Sequence, residues 1–204
     1  LSAVVDLPVV NMLSDHSHPL QAFADALTMQ QCLGELAGKT VAYVGDFNNV
    51  ARSLAEISAL LGMHVRFACP HGFDAPLVEL ERFSLLGAAS VEQSTRPAEA
   101  VDGAHAVHTD TWVSMGQEAE KQERLQRFEG YRVDADMMAL ADAQAVFMHC
   151  LPAYRGIEVA ADVIDGPRSV VFQQGHNRLH AARGAMAFLL GVRAHPTPQD
   201  PQNT

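Results

Sequence analysis

A ten-residue segment with an unusual order of side chains, "FMHCLPAYRG", spans residues 147–156. An apolar run ends there in His149 and Cys150, and Leu151 and Pro152 follow. Cys150 has three interpretations: a nucleophile, if a histidine and an asparagine or aspartate lie in reach, a zinc ligand, or a buried thiol at a strand end. Neighbouring residues of a regular strand point to opposite faces, so His149 and Cys150 are not expected to share one ion.

A second polar segment, "TDTWVSMGQE", spans residues 109–118 and precedes a charged stretch. It combines Asp110, Ser114, Met115 and Gly116. One interpretation is a loop in which Ser114 caps a helix. The other is a flexible flap, in which Gly116 permits a hinge and Asp110 pairs with an amine.

Two further segments carry histidine and arginine side chains near the ends of the chain. In "HPLQ", His18 and Gln21 are three residues apart on one helical turn, so both could donate to a carbonyl oxygen. In "HNRLH", Arg178 could grip an anion with two hydrogen bonds. His176 and His180 have a spacing that suits a metal, but the glutamate of an H-E-x-x-H motif is absent, so no metal is expected.

The segment "GDFNN" (45–49) stands where a dinucleotide-binding fold carries its glycine fingerprint. The later glycines are missing, and Phe47 would obstruct close approach of a pyrophosphate. We therefore expect no nicotinamide cofactor. Asn48 and Asn49 are either helix caps or ligand-binding residues.

The segment "STRP" (94–97) combines residue types that suit a phosphate at a helix start. Pro97 is equally typical of the first position of an ordinary helix. We favour the ordinary helix start.

Short β-branched or apolar runs alternate with amphipathic patterns along the chain, and one of these patterns covers residues 49–63. This alternation predicts parallel βαβ units, and therefore a three-layer, Rossmann-like α/β domain. Two helices, 18–34 and 177–191, are expected to flank the sheet. Because ligands bind beyond the carboxyl ends of parallel strands, the polar segments should gather at one edge. The predicted strands are residues 39–45, 64–69, 88–93, 104–109, 145–150 and 169–174.

Composition and charge narrow the class of partner. The 204 residues carry a formal net charge of −10, which argues against nucleic acid or an anionic membrane. No apolar run is long enough to span a membrane and the first residues lack the layout of a signal peptide, so we expect a cytoplasmic protein. The three cysteines show no pairing pattern, which favours free thiols. The chain begins at Leu1, which suggests a fragment, and its proline-rich tail is expected to be disordered.

Five motifs in this order resemble the ornithine carbamoyltransferases within the aspartate/ornithine carbamoyltransferase family. The resemblance covers residues 9–190, and the S-M-G loop together with H-C-L-P separates it from the aspartate-using relatives. The motifs, as they stand here, are "HPLQ", "GDFNN", "TDTWVSMG", "HCLP" and "NRLH".

The resemblance implies a role for each matching residue. His18, Gln21 and Arg178 would contact carbamoyl phosphate, and Cys150 and Leu151 would lie between the two substrates. The residues that would hold ornithine are Asn49, Asp110, Ser114 and Met115. The catalytic set would be Cys150, Asp110, His18 and Arg178, with Cys150 positioning the amine without a covalent bond.

The resemblance also implies an activity and a division of the chain. The activity is transfer of a carbamoyl group from carbamoyl phosphate to the side-chain amine of L-ornithine, in arginine biosynthesis, by a homotrimer that uses neither cofactor nor metal. The isolated piece is expected to be nearly inactive. The expected segments are the end of a missing carbamoyl-phosphate domain (1–17), a bridging helix (18–34), an ornithine-binding domain (35–176), a second bridging helix (177–192) and a tail (193–204).

Three departures from the family pattern keep other functions open: Phe47, Tyr154 and "QQGH" (173–176). The alternatives are a carbamoyltransferase for another amine, such as putrescine or an acylated ornithine, and an amino-acid-binding module without catalysis.

Overall fold

The computed structural model describes residues 4–113 and 120–192, within which five strands form one sheet. The strand order is β3-β2-β1-β4-β5, and every neighbouring pair is parallel. This confirms the predicted α/β class and five of the predicted strands. The strands are β1 (Thr40–Val44), β2 (His64–Ala68), β3 (Ser90–Ser94), β4 (Ala106–Thr109) and β5 (Val146–His149).

Helices connect and flank these strands. The longest are α1, which precedes the sheet, and α8, which follows it, and these two pack against each other. The helices are α1 (Pro19–Leu33), α2 (Asn49–Leu60), α3 (Leu77–Leu86), α4 (Pro97–Val101), α5 (Lys121–Arg127), α6 (Ala135–Leu140), α7 (Ala161–Ile164) and α8 (Val171–Leu189).

The sheet is buried on both faces, which makes the domain three layers thick. Alternate residues of β1 point to opposite sides, so Val41 and Tyr43 join one core and Ala42 and Val44 the other. The first core also contains buried residues of α1, α2 and α3, and the second contains residues of α4, α6 and α7. Near-continuous apolar strands are the sequence signature of such a doubly covered sheet.

The predicted strand at residues 169–174 is wrong. Ser169 makes one isolated bridge with Phe147, and α8 begins at Val171 instead of the expected residue 177. Val171, Gln174 and Asn177 are the buried residues of this helix, and their spacing of three is helical. The β-branched pair Val170 and Val171 suggested a strand because a short apolar run does not distinguish a strand from a buried helix start.

The strand order changes direction between β1 and β4, and this position places the functional loops. From β1 the sheet extends through β2 and β3 on one side, and β4 and β5 lie on the other. The loops after β1 and β4 therefore diverge from a crevice at the carboxyl edge, the usual ligand position in open parallel sheets.

Among the described residues, none of the helices is long and apolar enough to cross a membrane. The expected disordered tail, residues 193–204, lies outside the described residues.

Gly166 lies in the turn between α7 and α8, and its substitution shows how tightly this turn packs. A β-carbon at Gly166 would clash with the carbonyl oxygen of Asp162. We expect Gly166→Ala to lower the free energy of unfolding by about 1–3 kcal/mol, since backbone atoms must shift. Gly184→Ala is the control: that β-carbon meets no atom within 4 Å, so alanine should stabilise α8 by about 0.5–1 kcal/mol. Urea denaturation measures both, and equal stability of the two variants would contradict the packing argument.

Candidate functional site

The candidate site lies at the carboxyl edge of the sheet, where polar residues from three strand ends meet. Asn48 caps α2 after β1, Asp110 directly follows β4, and Cys150 directly follows β5. The three strand ends are neighbours in the sheet order, so residues distant in sequence converge.

Asp110 is the centre of this cluster, and its carboxylate is almost fully buried. Its Oδ1 accepts hydrogen bonds from the Cys150 thiol (3.1 Å) and from the backbone N–H of Thr111 (2.8 Å). Its Oδ2 accepts a hydrogen bond from Nδ2 of Asn48 at 2.8 Å. Three donors thus compensate the loss of water around a buried acid, which makes Asp110 an oriented partner for a cation such as an ammonium group.

Cys150 is a neutral thiol in this environment. Burial raises the pKa of the Cys150 thiol well above its ordinary value, and the charge of Asp110 and its hydrogen bond raise it further. Because thiolates are the reactive form of cysteine, this environment opposes both a nucleophile and a metal ligand. Of the three interpretations of Cys150, a buried thiol that donates a hydrogen bond fits the geometry.

His149 packs beneath the turn that carries Leu151. Its Nδ1 accepts the backbone N–H of Leu151 (2.9 Å), and its Nε2 lies 3.3 Å from Oε1 of Glu158. Both His149 and Glu158 are fully buried. Leu151 has a left-handed backbone, with φ of 59°, which this hydrogen bond stabilises.

Potential ligand atoms of Asp110, His149 and Cys150 lie within 4.8 Å of one another. The expectation that His149 and Cys150 do not share one ion assumed a regular strand, and this assumption does not hold, because β5 ends at His149 and Cys150 lies beyond it. Both ring nitrogens of His149 already face protein groups. A metal here would require His149 to give up one contact and Cys150 to lose its proton.

His18 and Gln21, the pair from "HPLQ", are both buried at the start of α1. Burial lowers the pKa of His18, and the positive charge of Arg178 lowers it further, so its imidazole is neutral at pH 7. Nε2 of Gln21 donates to Oδ1 of Asp25 at 2.7 Å. Among the described residues, Nδ1 of His18 and Oε1 of Gln21 have no hydrogen-bond partner. Gln21 therefore offers an unpaired acceptor as well as an amide donor.

Asp25, which the sequence analysis missed, connects α1 to α8. Its Oδ1 accepts one hydrogen bond from Gln21 and one from Nε2 of Gln174, both 2.7 Å long. Oε1 of Gln174 accepts the backbone N–H of His149 (2.9 Å), and its Nε2 lies 3.2 Å from Nε2 of His108. Burial raises the pKa of Asp25 to about 7, although the two amide hydrogen bonds and the charge of Arg178 act to lower it. The spacing of Gln21 and Asp25, four residues on one helical face, was the sequence signal.

The remaining predicted site residues are less closely grouped. Nδ2 of Asn49 donates to the backbone carbonyl of Ser14 at 2.7 Å, in the segment that precedes α1. Arg178 is exposed on α8, although its charge acts on His18, Asp25 and Cys150. Ser114 and Met115 lie outside the described residues.

Phe47 belongs to the core beside α2 and α3. Its ring packs edge-on against Phe67, with centroids 5.4 Å apart, and near Phe83 at 6.2 Å. The guanidinium of Arg52 covers it at 5.0 Å. This departure from the family pattern therefore contributes to packing.

Two other motifs have structural roles in the described residues. Pro97 is the first residue of α4, and the Ser94 hydroxyl accepts the backbone N–H of Arg96 at 3.0 Å, which confirms the ordinary helix start. His176 and His180 contact each other edge to face on the exposed side of α8, with ring centroids 4.8 Å apart.

A doubly covered parallel sheet with a polar cluster at its switch point defines a Rossmann-like domain of the ligand-binding class. The family described as aspartate/ornithine carbamoyltransferase, Asp/Orn binding domain, matches residues 37–189. The chain belongs to the aspartate/ornithine carbamoyltransferase family.

Individual relatives agree with this membership. The ornithine carbamoyltransferase of Parasynechococcus marenigrum is 49% identical over 188 residues, which cover 91% of this chain and 59% of that protein. The one from Symbiobacterium thermophilum is 49% identical, covering 90% and 60%. The solved structure of the Pyrococcus furiosus ornithine carbamoyltransferase has a TM-score of 0.88 and 42% identity, covering 95% and 63%. The chain thus spans about three fifths of the length of the curated relatives it matches.

Asp25 and His108 are both buried, and Oδ2 of Asp25 lies 3.7 Å from Nε2 of His108. This pair predicts an unusual pH dependence of stability. The pKa of Asp25 rises from 3.8 to about 7, so its stabilising contribution is complete below pH 3.8 and is lost as the pH approaches 7. The pKa of His108 falls from 6.5 to about 3, so its contribution is complete above pH 6.5 and is lost towards pH 3. The two contributions offset each other in between.

Asp25→Asn removes the acidic half of this pair. Asparagine can still accept the amide hydrogen bonds through Oδ1, so the variant should gain stability relative to the parent as pH rises from about 4 to 7, by a few kcal/mol. Urea denaturation across this pH range measures the difference. Asp15→Asn, the same change at an exposed side chain, is the control. A stability difference that is constant with pH would contradict a raised Asp25 pKa.

The neutral state of Cys150 predicts an order of thiol reactivity. Cys32 is exposed, Cys150 is partly covered and Cys69 is buried. Iodoacetamide should modify Cys32 first and Cys150 at least about tenfold more slowly, because little Cys150 thiolate is present at pH 8. Mass spectrometry of peptides over time measures each rate. Faster modification of Cys150 than of Cys32 would indicate an activated thiolate instead.

Proposed function

We propose that this chain is the ornithine-binding part of an ornithine carbamoyltransferase, which converts L-ornithine and carbamoyl phosphate to citrulline and phosphate in arginine biosynthesis. The observation that carries the proposal is the Asp110 carboxylate, held by Cys150 from one neighbouring strand end and Asn48 from another. The family membership and the names of the relatives support the same substrate.

The first chemical requirement is a neutral amine, because an ammonium ion has no lone pair for attack on a carbonyl carbon. In the proposed reaction, the Asp110 carboxylate attracts the ammonium group and stabilises the positive charge until the proton passes to water. Cys150 remains a protonated thiol that contacts the amine region and forms no covalent bond. Asn49, Ser114 and Met115 complete the ornithine site in this proposal.

The second requirement is stabilisation of the negative charge that develops on the carbamoyl oxygen and on the departing phosphate. His18, whose neutral imidazole has one N–H, and the Arg178 guanidinium supply donors for these oxygens. The unpaired Oε1 of Gln21 suits the amino group of the carbamoyl moiety, which is a donor. Leu151 lies between the two substrates at the turn above His149.

Relatives extend well beyond the length that this chain matches, so we propose that turnover needs a part with no counterpart in these 204 residues. Carbamoyl phosphate binding and catalysis by this chain alone should be weak. The inter-domain roles of α1 and α8, the homotrimeric assembly and the cytoplasmic location belong to the same proposal. Sedimentation of this chain alone, and of this chain joined to the part that it lacks, measures the oligomeric state.

A chimera tests the proposed function. These residues are joined to the amino-terminal part of the Pyrococcus furiosus relative, and product formation is measured with ornithine, putrescine and N-acetylornithine in turn. We expect citrulline from ornithine, and Asp110→Asn should lower the rate about 100-fold because the amine loses its charged partner. Asp136→Asn, an exposed carboxyl on α6, is the matched control.

The other outcomes separate the alternative functions. Turnover of putrescine or N-acetylornithine in preference to ornithine would assign a different amine substrate. Calorimetric binding of ornithine without turnover by the folded chimera would favour an amino-acid-binding module. Cys150→Ser should leave weakened turnover, whereas a trapped carbamoyl group on Cys150 would overturn the non-covalent role.

A further inference from the structure

Asn48 is in a position that neither the motif comparison nor the proposed substrate contacts explain. The resemblance assigned the ornithine contact to the next residue, Asn49, whose side chain donates to the carbonyl of Ser14. Asn48 instead turns inward, and its Nδ2 lies 2.8 Å from Oδ2 of Asp110.

The orientation of the Asn48 amide is determined by its partners on both sides. Its Oδ1 accepts the backbone N–H groups of Val50 and Ala51, each at 3.0 Å, as a helix cap. The hydroxyl of Tyr43 also donates to Oδ1, at 3.3 Å. With three donors around Oδ1, the Nδ2 group must face Asp110.

The hydrogen bond from the Tyr43 hydroxyl to Oδ1 of Asn48 persists at every physiological pH. Tyr43 is buried, and this burial raises the pKa of its phenol well above the ordinary value, so the hydroxyl keeps its proton. Asn48 thereby joins β1, the start of α2 and the loop after β4 at the point where the strand order changes direction.

We propose that Asn48 is a positioning residue, which holds the Asp110 carboxylate against the Cys150 thiol and presents it to the amine substrate. This inference rests on the proposed function only for the identity of the amine. The two oxygens of Asp110 have different partners, with Asn48 on Oδ2 and Cys150 on Oδ1. Loss of the Asn48 donor frees Oδ2, so the carboxylate can rotate away from the thiol.

Cys150 reports on the position of Asp110 without any substrate. Burial has the largest effect on the pKa of the Cys150 thiol and raises it. The nearby charges of Asp110 and Asp25 raise this pKa further, and the charge of Arg178 lowers it. When Asp110 moves away, the thiol loses its acceptor and a neighbouring negative charge. Its ionised fraction at a given pH then increases, and alkylation accelerates.

Asn48→Ser separates positioning from capping. Serine is also a favourable cap, so the start of α2 is retained, but it has no amide N–H for Asp110. We expect several-fold faster alkylation of Cys150 between pH 7 and 9, measured by mass spectrometry on this chain, with Cys32 in the same molecules as the internal reference. Asn48→Ala, which removes both the cap and the donor, should in addition lower the thermal midpoint.

A double-mutant cycle with Asp110→Asn shows whether Asn48 acts through Asp110. Asp110→Asn alone should accelerate Cys150 alkylation at least as much as Asn48→Ser. Adding Asn48→Ser to Asp110→Asn should then change the rate by less than about twofold, because its target is already lost. Two results would overturn the positioning role: effects of the two substitutions on the Cys150 alkylation rate that multiply, or no effect of Asn48→Ser on that rate. Asn48 would then act only as the cap of α2.

The same variants, placed in the chimera, separate this inference from the proposed function. Asn48→Ser should raise the KM for ornithine about tenfold, with no further increase in the Asp110→Asn background. Failure of the parent chimera to use ornithine would contradict the proposed function, whereas the alkylation cycle would still decide the role of Asn48. If the Asn48→Ser chimera kept the parental KM for ornithine and the parental turnover, Asn48 would not be needed to present Asp110 to the amine.

Discussion

The site depends on the burial of one carboxylate at the switch point of the sheet. Asp110 is almost removed from water, so its oxygens need donors from the protein, and these come from Asn48, Thr111 and Cys150. The three donors belong to different elements. Their convergence requires β1, β4 and β5 to be neighbours, which connects the function of the site directly to the strand order.

A second buried carboxyl group connects the two long helices behind the site. Asp25 joins Gln21 of α1 to Gln174 of α8, and Gln174 in turn holds the end of β5 through His149. Asn177 continues this polar contact between the helices by donating to Thr28 at 2.9 Å. The two long helices are thus held in register by specific hydrogen bonds.

Five strands and the carboxyl-edge position of the candidate site were predictable, because short apolar runs alternate with helical patterns. The strand at 169–174 was not, since Val170 and Val171 suit a strand and a buried helix start equally well. The different partners of Asn48 and Asn49, Asp110 for the first and the Ser14 carbonyl for the second, could not be predicted either. Two adjacent asparagines at a helix start are equivalent until the helix axis is known.

The sequence by itself determined the α/β class and the family motifs, because residue types and their spacing decide periodicity and donor inventory. Only the tertiary structure decided which donors meet which acceptors. It brought Cys150 into contact with Asp110, 40 positions away in the sequence, and Gln174 into contact with Asp25, 149 positions away. It also buried the Cys150 thiol beside Asp110, which keeps this thiol protonated. Desolvation and hydrogen bonding depend on neighbours in space, and these come from strand order and helix packing, which no local pattern specifies.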